Sequence, residues 1–269
     1  MDEQIAVQVS DLRAGYGWGT NATPILHGIT MNVARGTTVG IVGESGSGKS
    51  TLAKALVGIV RPTAGSVTIG GVPVSAARGA DRHALRRKVQ MIPQDPYSSL
   101  DPRRTIGQAL AEAVDPRRAN VSKHTDEIIH WLETVKMPAD TINRYPHECS
   151  GGQRQRIAIA RGLMIGPEVV IADEITSALD VSVQAEILNL LAKLRRELNL
   201  TMVFISHNLA VVRHVSDEVV VLYNGDIVEQ APAAHLYQNP QHPYTRTLLD
   251  SVPGAPGFTI EHRPRKDAA

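Results

Sequence analysis

Apolar and polar positions alternate over short runs broken by glycine turns through residues 1–75, in IAVQVSDL, ILHGITMNVARGTTVGIVG and GSVTIGGVPV. The period of two in ITMNV and SVTIGGVPV predicts half-exposed antiparallel strands. TTVGIVG differs: its apolar run is continuous, as in a strand buried on both faces. Residues 51–60, TLAKALVGIV, take up helical spacing. From about 95 to 165 the pattern is mainly helical and charged, with DPRRANVSKH as a loop inside it. A second strand-rich block follows in EVVIADE, TMVFIS and EVVVLYNGDIVEQ, the last with an Asn224-Gly225 hairpin signal. Between the first two, Ile187, Leu188, Leu190, Leu191, Leu194 and Leu198 form one stripe at helical period.

Strand, helix, strand alternation predicts an α/β fold with a mainly parallel sheet and right-handed crossovers, preceded by antiparallel strands. The helical block of residues 95–165 reads as an insertion into that sheet. The proline- and charge-rich end, PGAPGFTIEHRPRKDAA, predicts a mobile tail, taken as residues 256–269.

Composition narrows the function classes. A chain of 269 residues with 42% apolar content can bury a sizeable core in one large domain or two lobes. Its net charge of +1 gives no general attraction to nucleic acid or anionic lipid. Residues 78–118 are locally basic, with Arg78, Arg82, Arg86, Arg87, Lys88, Arg103, Arg104, Arg117 and Arg118. Asp81, Asp95, Asp101, Glu112 and Asp115 are interleaved, so this stretch reads as a solvated face. The single cysteine, Cys149, fits a reducing compartment and excludes a multi-cysteine metal site within the chain. The N-terminus lacks the order of a signal peptide, and the apolar runs fall far short of the ~20 residues that cross a bilayer. A membrane role therefore requires partner chains.

GESGSGKST, Gly43 to Thr51, fits G-x-x-x-x-G-K-[ST] between a buried strand and a helix, the context that pattern requires. Gly43, Gly46 and Gly48 let the backbone of Glu44, Ser45 and Ser47 wrap close to phosphate oxygens. Lys49 would reach the β- and γ-phosphates and Ser50 would ligate magnesium, with Thr51 opening the helix. EVVIADE ends in two acids at the carboxyl edge of a parallel sheet, where such sheets bind ligands. Asp173 suits a magnesium ion that keeps several waters, and Glu174 is placed to orient or deprotonate an attacking water. Gln94 in VQMIPQDP and His207 in VFISHN also sit at strand ends; each alone would be an ordinary structural residue. Tyr16 in AGYGWG could stack on a purine for roughly 1–3 kcal/mol, or simply fill a hairpin.

One motif remains. Ser150 and Gln153 in SGGQ have the spacing of a capping box. The cap does not explain Gly151-Gly152, since glycine in a first turn weakens a helix by up to ~1 kcal/mol relative to alanine. Bare N–H groups at a helix start form an anion site. The chain thus carries one phosphate site with a metal and a base, and a second anion site with neither.

GESGSGKST, QDP, CSGGQ, VVIADE, SALD and ISH fall in the order and approximate spacing of ATP-binding-cassette ATPases, and the resemblance covers residues 5–250. It implies a P-loop NTPase core with an antiparallel β subdomain and an inserted helical subdomain. It also implies head-to-tail pairing with a second cassette, so that each ATP lies between one chain's phosphate loop and the other's Ser150-Gly151-Gly152-Gln153. By the same resemblance Tyr16 stacks on adenine, and Gln94 senses Mg2+ and couples to the membrane subunit. Asp180 links the two sites, and His207 holds the γ-phosphate and the water-positioning glutamate.

QDPYSSLDPRRTIG, RYPHECSGGQRQRIAIARGL, SALDVSVQAEILNLL and NPQHPYTRTLLDSVP look like the second ATPase of oligopeptide, dipeptide and nickel importers, with residues 236–255 as the characteristic C-terminal region. That implies a different cassette as partner, two transmembrane permeases, an extracytoplasmic solute-binding protein acting indirectly, and a place at the cytoplasmic face of the inner membrane. Two positions depart from the pattern. Cys149 stands where leucine or phenylalanine is usual; being small and apolar it should do little harm there, though an exposed thiol would be open to oxidation. Ile175 stands where proline is usual, which restores an N–H and loosens the turn carrying Glu174. A soluble cassette of the carbon–phosphorus lyase type and a small-molecule phosphate-loop kinase are the rival readings.

Overall fold

The computed structural model of the chain describes residues 4–17, 23–75, 77 and 79–251; Arg78 and the expected tail lie outside these. The alternating segments build an antiparallel sheet. Strand β1 (Ile5–Tyr16) pairs with β2 (Thr23–Ala34), whose side chains alternate between buried and exposed over its second half. The continuous apolar run is β3 (Thr38–Val42), buried at every position, and it leads into α1 (Lys49–Leu56). The chain then returns through β4 (Ala64–Ile69) and β5 (Val72–Pro73), giving a four-stranded order β2-β1-β4-β5.

The second sheet starts from β3. After α2 (Gly79–Lys88) the chain enters β6 (Val89–Ile92), then makes a long helical excursion through α3 (Pro96–Ser99), α4 (Ile106–Val114), α5 (Thr125–Thr134) and α6 (Gly151–Leu163). It comes back in β7 (Val169–Asp173), the immediate parallel neighbour of β6, with Val89 opposite Val169. Helix α7 (Val181–Leu198), β8 (Thr201–Ile205), α8 (Leu209–Val215) and β9 (Glu218–Tyr223) follow, then β10 (Asp226–Pro232), α9 (Ala233–Gln238) and α10 (Pro243–Asp250). The order is β10-β9-β3-β8-β7-β6, parallel throughout except for β10, which turns back on β9.

Both faces of this sheet are covered, which is why its strands carry no alternation. Val39, Ile41, Ile171, Val203 and Ile205 face α1 and the antiparallel sheet, in one core with Leu12, Ile29, Leu52 and Leu56. Their neighbours Val42, Val170, Ala172, Met202 and Phe204 face the other way, in a core with Ile106, Leu110, Ile157, Leu188 and Leu191. At about 25 cal/mol per Å² of apolar surface, a dozen fully buried Leu, Ile and Phe side chains dominate the stabilising side of folding.

Two expectations, on Leu198 and Ile175, need correction. Leu198 does not belong to the α7 stripe: it is 45% exposed, because Asn199 ends the helix in a left-handed conformation and Leu200 takes the inward position. Cys149 is buried, in keeping with a small apolar residue, its thiol 3.8 Å from the Tyr145 carbonyl, and burial pushes its pKa up despite Arg144 and Arg154 nearby. Ile175 does not loosen its turn: it is 1% exposed, anchored in the larger core, and Ser177 N–H donates to the Glu174 carbonyl at 3.1 Å.

Candidate functional site

Glycines with positive φ shape the loop after β3. At Gly43 (φ 155°) a Cβ would lie 2.1 Å from the Leu222 carbonyl oxygen, and at Gly48 (φ 104°) 2.8 Å from Leu26 Cδ2. No side chain caps α1, and its first turn holds no acid, so the first N–H groups of the helix stay available to an anion. Lys49 is 5% exposed; its ammonium donates to the Gly43 carbonyl at 2.9 Å and the Glu44 carbonyl at 2.7 Å. Burial pushes its pKa down, against the pull of Glu174, Asp173 and Glu44. Glu44, Ser45, Gly46 and Ser50 are exposed, whereas Ser47 and Thr51 are buried.

The carboxyl edge of the sheet meets this loop. Asp173 ends β7 almost fully buried, and Ser50 Oγ donates to its Oδ1 at 3.5 Å. Burial, then the charge of Glu174, holds the Asp173 carboxyl above its ordinary range. Glu174 follows in the left-handed region, φ 48°, with its N–H bonded to the Ile205 carbonyl at 2.9 Å. A non-glycine residue held there costs about 1–3 kcal/mol. Glu174 Oε2 receives Gln94 Nε2 at 3.3 Å and lies 3.2 Å from His207 Nδ1. Lys49, Ser50, Gln94 and Glu174 border an open cleft of about 370 Å³, with Ile25 of β2 as its apolar wall. Tyr16 stands beside that wall, since Gly15 pairs with Pro24 and Tyr16 with Thr23, and it is 48% exposed.

The second glycine pair is elsewhere. Ser150 caps α6 as expected: its Oγ accepts the Gln153 N–H at 3.3 Å, and Gln153 Oε1 accepts the Ser150 N–H at 2.8 Å. None of the four residues borders the cleft around Lys49. The structure also gives Gly152 a packing reason, because a Cβ there would lie 2.6 Å from Val183 Cγ1 on α7; Gly151 has no such constraint, its nearest neighbour being Leu179 Cδ2 at 3.8 Å. Asp180, the N-cap residue of α7, is exposed and makes no capping bond with its side chain. The sequence motifs thus sort into two groups: one around Lys49, Asp173 and Glu174, the other at the neighbouring starts of α6 and α7.

Three contacts at the first group were not anticipated. Ser177 Oγ accepts from Gln94 Nε2 at 3.2 Å, Gly225 N–H donates to the Ser47 carbonyl at 3.0 Å, and Glu44 N–H donates to Tyr244 Oη at 3.0 Å. Only the last two had a sequence signal, the Asn224-Gly225 turn and the His-Pro-Tyr-Thr stretch, and neither signal pointed at the phosphate loop.

The donor set also fits a magnesium ion carried on phosphate. No group of three or more His, Cys, Asp or Glu side chains able to hold a metal occurs among the described residues. The Ser50 hydroxyl, the Asp173 carboxylate and the Gln94 amide are hard donors, a set that needs phosphate and water oxygens to complete an octahedron.

Residues 26–177 match the ABC transporter family, and residues 228–265 match the C-terminal region of oligopeptide/dipeptide transporters. The chain is 46% identical over 254 residues to a putative peptide import ATP-binding protein of Brucella ovis, covering 94% of this chain and 80% of that one. It is 50% identical over 229 residues to the di/tripeptide transport ATP-binding protein DppF of Pseudomonas aeruginosa, covering 85% and 71% of the two chains. Among solved structures, a dimeric ATP-binding cassette in a post-hydrolysis state with ADP and Pi superposes with a TM-score of 0.75 at 27% identity, over 84% of this chain and 98% of that one. Identity at this level over most of both chains settles the family: the protein is an ATPase of the ABC transporter family, from its oligopeptide/dipeptide transporter branch.

Proposed function

We propose that the chain is the ATP-hydrolysing subunit that energises an importer of peptides or a related solute such as a nickel chelate. The observation that carries this reading is the separation of the two motif groups. One chain holds a phosphate loop, a metal carboxylate and a base, while its serine-capped glycine pair lies outside that cleft. Two such chains arranged head to tail complete two sites, an arrangement in keeping with the dimeric cassette bound to ADP and Pi.

In this reading Lys49 and the uncapped start of α1 hold the phosphates of ATP, and Tyr16 stacks on the adenine. Magnesium, when bound, neutralises charge on the transferring phosphoryl group, and Ser50, Asp173 and Gln94 are the residues that would hold it. Glu174 accepts the proton of the attacking water while His207 orients the carboxylate and meets the γ-phosphate. The partner's Ser150, Gly151, Gly152 and Gln153 supply the remaining N–H groups, and Asp180 connects the two sites. Electrostatic stabilisation of this kind, placed before the reaction, is usually the largest single contribution to catalysis.

No helix among the described residues is long and apolar enough to cross a membrane, and this reading assigns the chain two transmembrane permeases as partners. The second cassette is a different chain, a solute-binding protein acts indirectly, and the assembly sits at the cytoplasmic face of the inner membrane. The peptide importer names of the relatives favour this reading over a soluble enzyme complex of the carbon–phosphorus lyase type. Co-purification tests it. Polytopic permeases recovered with the chain, and ATP-driven uptake of peptides by vesicles containing the assembly, are the expected result; a soluble enzyme core recovered instead would overturn it.

A further inference from the structure

The phosphate loop has a neighbour that the catalytic set does not include. Tyr244, in the first turn of α10, accepts the Glu44 N–H through its phenol oxygen at 3.0 Å. That N–H belongs to the peptide unit joining Gly43 to Glu44. The carbonyl of the same unit, Gly43 O, accepts from Lys49 Nζ at 2.9 Å. A peptide unit is planar, with N–H and C=O on opposite sides, so a rotation that breaks one of these bonds breaks the other. Gly43 is the hinge for such a rotation, because glycine resists backbone rotation least.

Tyr244 is itself held from three directions. Its ring packs on Tyr223, centroids 4.2 Å apart and planes tilted by 38°. His242 caps α10, its Nδ1 accepting the Tyr244 N–H at 3.2 Å. On β10, Glu229 accepts the N–H groups of Gln241 and His242, both at 2.9 Å. Burial pushes the Tyr244 pKa up, which keeps the hydroxyl neutral.

We propose that Tyr244 is a positioning residue for ATP hydrolysis: helix α10 fixes the orientation of the Gly43–Glu44 peptide, and through it the reach of the Lys49 ammonium toward phosphate. The proposal rests on the cleft around Lys49 being the ATP site. It makes the segment beyond the cassette a structural part of the nucleotide site.

The test uses full-length chain carrying Tyr244→Phe, which keeps the ring and its packing and deletes only the acceptor. Thr247→Ala, on the exposed side of the same helix, is the control. Binding of ATP with magnesium, steady-state turnover with the second cassette present, and amide hydrogen exchange along residues 43–49 are measured on each. Loss of one neutral hydrogen bond predicts an ATP affinity and KM weakened about threefold to tenfold in Tyr244→Phe, with kcat within about twofold. Exchange of the Glu44 amide accelerates while the amides of α10 stay protected, and Thr247→Ala matches wild type in all three measurements. Tyr244→Leu, which also removes the ring packing, loses at least as much affinity. Unchanged ATP affinity and unchanged Glu44 exchange in Tyr244→Phe would overturn the proposal while leaving the ATP site intact. Failure of the wild-type chain to bind ATP would remove the reading of the cleft and the proposal with it.

Discussion

His207 Nδ1 lies 3.2 Å from Glu174 Oε2, and the same carboxylate oxygen receives Gln94 Nε2 at 3.3 Å. Three strand ends, those of β6, β7 and β8, therefore converge on one oxygen, carried by a residue whose backbone is left-handed. In the proposed mechanism His207 keeps orienting this carboxylate while Glu174 accepts a proton from the water that attacks the γ-phosphate.

Glu174→Gln keeps the shape of the side chain and removes its basicity. ATP binding is expected to persist and a nucleotide-bound dimer to accumulate, while turnover falls by a factor of about 10² to 10⁴. Phosphate release and gel filtration with ATP measure the two effects. Hydrolysis at the wild-type rate in this variant would remove Glu174 from the role of base.

Ser150→Arg places a long side chain at the helix start that the proposed dimer would present to a partner's phosphate. Nucleotide affinity of the isolated subunit is expected to stay within about twofold of wild type, because Ser150 borders none of the cleft around Lys49. Assembled turnover is expected to collapse. A loss of affinity in the isolated chain would mean that this loop serves its own site.

Gly152 and Gly151 separate packing from ligand binding. Gly152→Ala drives a methyl into the stiff side chain of Val183, at 2.6 Å, and is expected to destabilise the fold by about 1–3 kcal/mol before any effect on activity. Gly151→Ala finds its nearest neighbour at 3.8 Å and is expected to leave the melting temperature unchanged or raised. Thermal denaturation of the two variants, and rescue of Gly152→Ala by Val183→Ala, check the assignment.

The ion-pair cluster at the far end of the sheet predicts a pH dependence. Glu168 pairs with Arg35 and Lys88, each at 3.0 Å, joining the turn after β2 and the end of α2 to the start of β7. Burial pushes its carboxyl up, but the hydrogen bonds and charges of Lys88 and Arg35 outweigh that and leave it below its ordinary range. A carboxyl depressed by folding adds stability above its unfolded pKa and loses it as pH falls through the folded value. Glu168→Gln is therefore expected to lower the melting temperature at neutral pH, through a stability loss of no more than about 1 kcal/mol for so exposed a cluster. The difference from wild type should vanish in acid, and a pH-independent difference would contradict the pairing.

The architecture was legible wherever burial has a local period. Alternation in β2 and its absence in β3 both reflect which faces the sheets cover, and the Asn224-Gly225 pair supplies the two left-handed residues a tight hairpin needs. Helices α8 to α10 were not read, because each is short and packs through few side chains whose partners come from elsewhere in the chain. Leu198 matched the period of α7 and still failed, since Asn199 ends the helix just beyond the core.

The phosphate loop and the Asp173-Glu174 pair were readable because their chemistry is contiguous. Tyr244 was not: it meets Glu44 across 200 positions of sequence, and its motif gave family resemblance without a contact. The capping box at Ser150 was readable as a helix start, whereas the Gly152–Val183 contact belongs to tertiary packing. Ile175 reads as a loosened turn when only the missing proline is considered. Its side chain, buried in the core, supplies the constraint instead.

The most direct test follows specific ATPase activity as the purified chain is diluted, with and without the second cassette. A site shared between subunits predicts activity that falls with the dimer fraction and returns when the partner is added. Constant, full turnover by a chain shown to be monomeric at every dilution would contradict it.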